Sequence, residues 1–205
     1  MLLFVAVPAA GEPLPPAPDW QALRVELEQV LKSDQDVRER ANKLIEESRA
    51  KGVEPDKEVM SKLATEMALQ DAINQSRVTE LLDKHGWIGK SRVGGLAATA
   101  VFLVIQHAPL ATQLKYLPMM REAAEAGELS KSSLALTEDR VRVNQKQPQL
   151  YGSQVKPGPG VDLFPVADPE SLDERRKAMG LGPVCRYLEN FVKALGAITY
   201  PPCVK

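Results

Sequence analysis

A chain of 205 residues with 44% hydrophobic and 26% charged residues is long enough for one sizeable core with an appendage and marginal for two full domains. Its formal net charge of -1 lacks the basic footprint of a nucleic-acid binder, so no nucleic-acid partner is expected. The two cysteines, Cys185 and Cys203, fit neither a zinc knuckle nor a redox CxxC.

Residues 1–10, MLLFVAVPAA, form a short apolar run that ends in small residues with no basic residue before it. This is the pattern of the end of a secretory signal peptide without its basic start. A disordered or core-inserted N-terminus is the other reading. The proline-rich GEPLPPAP that follows favours export, to the periplasm. Residues 1–18 are therefore read as a remnant signal-like segment with its spacer, and 19–205 as a single helical domain. Export lets Cys185 pair with Cys203. Closing about 20 residues in this way is worth roughly 3 kcal/mol. Two buried free thiols are the alternative.

Residues 19–50 carry Leu23, Leu27, Val30, Val37, Ala41, Leu44 and Ser48 at three- and four-residue steps, a helical period. Ser33 with Asp36 three positions on predicts a bend into a second helix. Lys51-Gly52 ends this segment, and Pro55 opens a helix over 55–84. Two breaks stand out. Asp34 occupies the apolar stripe between Val30 and Val37, and Asp71 and Asn74 occupy it between Met67 and Val78. Residues three and four apart share a helix face, and an unpaired buried carboxylate is costly, so these groups either meet partners or line a wet pocket.

Residues 93–105, VGGLAATAVFLVI, have no charge and one polar side chain, Thr99. A helix apolar all round is buried, and this one is too short for a bilayer, which takes about 20 residues. It reads as the central helix of an all-α bundle and as no membrane span. Gln106 and His107 sit at its end, stopped by Pro109. Residues 110–126 are again helical and close at Gly127. Ser130 or Ser132 caps a helix to about residue 143, which carries Glu138, Asp139 and Arg140. The helical period is then lost. Residues 149–166 predict an extended segment or small β-hairpin across the KPGPG turn. Asp168-Pro169 opens a short helix, and Pro183 opens the last. No GxGxxG, GxxxxGK[ST], HExxH or GxSxG is present, so nucleotide, zinc-protease and esterase readings lack their motifs.

HGW, then VGG, QHA, DRV and QLYGSQ, with Asp34-Gln35 followed by Arg38 in the first helix, resemble the bacterial family known as domain of unknown function 6624. The resemblance runs from about residue 34 to 188. In the family pattern Pro follows the Trp where this chain has Ile88, Asp follows His-Ala where it has Pro109, and Thr stands in place of Ser153. The family carries no assigned reaction, so the resemblance implies a shared site and no function.

The site expectation gathers the polar residues on core-facing positions. His107, Asp139, Arg140 and Tyr151 form the catalytic group, with Asp139 orienting the imidazole and Arg140 offering a fork for a carboxylate or phosphate. Gln106, Gln149, Gln154, Asp34, Asp71 and Asn74 are the substrate-binding set. Ser153 is the one hydroxyl placed as a nucleophile, and it lacks an elbow, which favours activation of water. Metal binding by His107 with Asp34 or Asp71 is the alternative, but one histidine with scattered carboxylates is a weak signal for it, so no metal is assigned and the cofactor is left open. Each of these residues has a structural reading beside it: a core histidine, an ordinary ion pair, a packed tyrosine. Two functions follow. One is an exported hydrolase or transferase acting on a small polar ligand or peptide. The other is a non-enzymatic exported binding, immunity or cell-envelope adaptor protein with a protein partner.

Overall fold

The computed structural model describes residues 18–158 and 160–204; the signal-like run and most of the spacer lie outside them. The class is all-α. Helix α1 (Trp20–Ala50) starts where the Asp19 carboxylate accepts from the amides of Gln21 and Ala22, both at 3.0 Å, filling two of the four orphan donors of a helix start. The bend expected at Ser33 does not occur: α1 is one helix. The Ser33 hydroxyl turns back to the Val30 carbonyl (3.0 Å) and reaches Asn74 (3.3 Å), so it is engaged inside the helix and caps nothing. Helix α2 (Lys57–His85) is capped by Asp56, whose carboxylate accepts from the amides of Glu58 and Val59. Pro55 precedes that cap and does not open the helix: the Asp56 carboxylate takes the first free amides, so the helix begins after it, at Lys57.

Helix α3 (Lys90–His107) packs against α1, α2, α4 and α5. Val93, Ala97, Ala100, Val101, Val104 and Ile105 are buried in the main core with Leu23, Leu27 and Val30 of α1 and Val78, Leu81 and Leu82 of α2. The helix is central, yet it is not buried all round: Gly95 and Thr99 are exposed and Leu96 is 64% exposed. Among the described residues no neighbouring helix covers that strip, so an apolar sequence alone did not enclose it. Gly94 interrupts the helix after its first turn with φ +80°, a conformation that costs a side-chain-bearing residue strain.

Helices α4 (Leu110–Glu125) and α5 (Lys131–Asn144) follow, the second capped by Ser130 onto the Ser133 amide. Beyond them the hairpin expected over 149–166 is only isolated bridges, Gln149 with Val166 and Val155 with Leu163. Prolines 148, 157 and 165 deny the ladder its donors. Short helices α6 (Leu172–Ala178), α7 (Val184–Leu188) and α8 (Val192–Leu195) close a second cluster around Val161, Leu163, Leu172, Val184 and Leu188. Its polar anchor is Arg176, 1% exposed. The guanidinium donates to the carbonyls of Gly182 and Tyr151, both at 2.6 Å, and lies 4.9 Å from the Tyr187 ring centre. The Cys185–Cys203 disulfide forms as expected, pinning the tail to this cluster with its Cα atoms 5.3 Å apart. Among the described residues no helix is long and apolar enough to cross a membrane.

Candidate functional site

His107 is the last residue of α3, and its imidazole meets α1, not α5. The ring Nδ1 lies 3.1 Å from Asp34 Oδ1. The Asp34 side chain is 1% exposed and the imidazole 18%. Burial alone would push the Asp34 carboxyl up; the His107 ring, the Arg38 charge and the Gln35 amide outweigh it and hold the group below its ordinary value. An ionised carboxylate only accepts, so Nδ1 carries a hydrogen whatever the charge on the ring. The nitrogen left for proton transfer is Nε2.

Asp34 is fixed on all sides. Gln35 Nε2 donates to its Oδ2 at 2.6 Å, and Arg38, one turn along α1, lies 3.3 Å from its Oδ1. Arg38 also clamps both oxygens of Asp71 at 2.9 Å. The stripe-breaking acids of α1 and α2 thus meet through one guanidinium. Asn74 stands one turn beyond Asp71, taking Gln70 Nε2 on its oxygen at 3.0 Å, while its own Nδ2 is buried with no hydrogen-bond partner among the described residues. Asp34, Asp71, Asn74, Gln75 and His107 line a cavity of about 10 Å³, room for one water centre. Arg38 fills the space between the two carboxylates, and among the described residues no three of His, Cys, Asp and Glu group as metal ligands.

The other expected residues divide. Asp139 is fully buried, but its carboxylate accepts from the backbone amides of Leu150 (2.6 Å), Tyr151 (3.0 Å) and Ser153 (2.9 Å). It holds a loop, and the place it was expected to take beside His107 belongs to Asp34. Burial pushes the Asp139 carboxyl up against the pull of those three amides. The Tyr151 hydroxyl donates to Glu138 Oε2 at 3.2 Å, and burial together with the Glu138 charge pushes it up to about 12. Glu138 and Arg140 are two apart on α5, about 200° around the axis, so Tyr151 and Arg140 address opposite faces of that helix. Gln149 bonds the carbonyls of Gln154 and Phe164 (3.0 and 2.9 Å) and joins the extended segments. Gln106 accepts from the Thr137 hydroxyl (2.7 Å) and donates to the Leu136 carbonyl (3.4 Å), tying α3 to α5. Gln154 also donates to Leu136 O, at 3.4 Å, and to Ser153 Oγ at 3.1 Å, which leaves Ser153 beneath a side-chain amide.

A model of a family of unknown function, DUF6624, matches residues 21–199. The chain belongs to that family. No curated protein and no solved structure matches it. The DUF6624 residues that carried the resemblance fall on both halves of this arrangement: Asp34, Gln35, Arg38 and His107 build the dyad, while Asp139, Gln149 and the loop around Gly152 build the support beside it. Arg38 was not placed in the site from sequence. Its signal was position: it stands four residues after a stripe-breaking acid, on the same helix face.

Proposed function

We propose that His107 and Asp34 act as a general acid–base pair and that the protein is an exported hydrolase or transferase acting on a small polar substrate. The observation that carries this reading is the Nδ1 contact of a partly exposed imidazole to a buried, ionised and multiply anchored carboxylate. Such a carboxylate fixes the ring's tautomer and stabilises the imidazolium that forms when Nε2 takes a proton. With Ser153 buried beneath Gln154, water is the simplest nucleophile for Nε2 to activate. The disulfide supports an oxidising compartment, which suits export to the periplasm.

The small size of the cavity beside the ring favours the second reading, a binding or adaptor protein in which the dyad only fixes α3 against α1. The two are separated by assaying hydrolysis of a panel of chromogenic phosphate, carboxylate and peptide esters with the wild type and His107→Gln. An activity that falls by about 10²-fold or more while the melting temperature holds supports the acid–base role. Full activity in His107→Gln, or a large loss of stability with no activity in either protein, favours the binding reading.

A further inference from the structure

The acid–base reading leaves Arg140 unexplained. Its side chain is half-buried, and its Nε is buried with no hydrogen-bond partner among the described residues. Arg176, which is buried, has carbonyls on its Nε and Nη1. Burial and the nearby Arg38 charge push the Arg140 guanidinium below its usual range, and the opposing influence comes from Tyr187, not from a carboxylate. A guanidinium with a second positive charge nearby and no carboxylate paired with it is unfavourable, and a planar donor fork fits a carboxylate or phosphate.

The placement of both arginines is set by bonds at the end of α3. Gln106 Nε2 donates to Leu136 O, and Arg140 is one turn beyond Leu136 on α5. Asp34 meets His107, and Arg38 is one turn beyond Asp34 on α1. Both arginines therefore stand one turn beyond a residue that meets the helix end carrying His107. Arg38 is steadied by Asp34 and Asp71; among the described residues Arg140 has no such anchor.

We propose that Arg140, with Arg38 beside it, binds the oxyanion of a ligand, a phosphate or carboxylate group, next to His107. This names the substrate class for the acid–base reading and rests on it for its catalytic meaning, while anion binding can be measured without turnover. In that arrangement the ligand's anionic group sits on the Arg140 fork and its adjoining polar portion faces the His107 ring.

The test is calorimetric titration of the full chain with inorganic phosphate and, separately, acetate, at constant ionic strength set by chloride. Wild type is expected to bind at least one of them saturably. Arg140→Met is expected to bind about tenfold more weakly or worse, since a charge-assisted fork is lost, and to melt no lower than wild type in anion-free buffer. Arg140→Lys, which keeps the charge but loses the fork, is expected to fall between. The titration reads anion binding without turnover and the ester assay reads the dyad, so a failure of the dyad and a failure of the anion site are told apart. Absence of saturable binding to both anions, or unchanged affinity in Arg140→Met, overturns the proposal. So does a melting temperature that drops in Arg140→Met without any change in binding by Arg140→Lys, which would make the arginine a structural contact of the α3 end.

Discussion

Asp139 makes the sharpest prediction, because the same residue is catalytic in one account and a loop anchor in the other. Three amides, those of Leu150, Tyr151 and Ser153, converge on its carboxylate. Asp139→Ala removes the acceptor from all three. A buried donor left unpaired costs about 1–3 kcal/mol. Leu150 and Tyr151 are half-buried, so water recovers part of the loss there, and the mutation also relieves the burial that pushes this carboxyl up. A net loss of about 3–5 kcal/mol is expected, a large share of the roughly 5–15 kcal/mol that holds a domain together. Asp139→Asn keeps one acceptor oxygen but aims an amide donor at another N–H, and is expected to cost about 2 kcal/mol. Urea unfolding followed by circular dichroism measures both. A loss below about 1 kcal/mol in Asp139→Ala, together with abolished activity, would refute the reasoning and return Asp139 to the chemistry.

Two further outcomes follow from the same structure. Without reductant, thiol titration of the denatured chain should find no free thiol, and reducing Cys185–Cys203 should lower stability by about 3 kcal/mol; two titrating thiols would contradict the bond. The ionised Asp34 carboxyl is held below its ordinary value of 3.8, so the stability it contributes is present above pH 3.8 and is lost as pH falls through the lower folded value. Asp139, pushed up, acts the other way, its folded form keeping its proton as pH rises past 3.8. Unfolding free energy measured against pH should therefore show a steeper acid limb in wild type than in Asp34→Asn, and equal limbs would disprove the Asp34 assignment.

Most of the helical architecture is legible in the chain. Leu23, Leu27 and Val30 recur at the helical period and are buried, and Ser130 caps where it was expected to. The central position of α3 follows from its apolar run, and the disulfide was expected from an even pair of cysteines behind a signal-like run. These are properties of single segments, where period, capping and composition act over a few residues. The stripe-breaking residues Asp34, Asp71 and Asn74 also announce themselves, because polar groups on an apolar face must find partners, and they do cluster at the end of α3. What periodicity does not contain is which partner each finds. Asp34 and Asp139 are both buried acids on helices that pack against α3, and nothing local distinguishes them. The rotation of α1 and α5 about their own axes decides that Asp34 faces the imidazole while Asp139 faces the 150–153 loop, and that the exposed strip at Leu96 stays uncovered. A hydrogen bond tolerates only a few tenths of an ångström, whereas a helical stripe specifies a face about 100° wide, so the pairing is settled by how the helices pack and not by the pattern along any one of them.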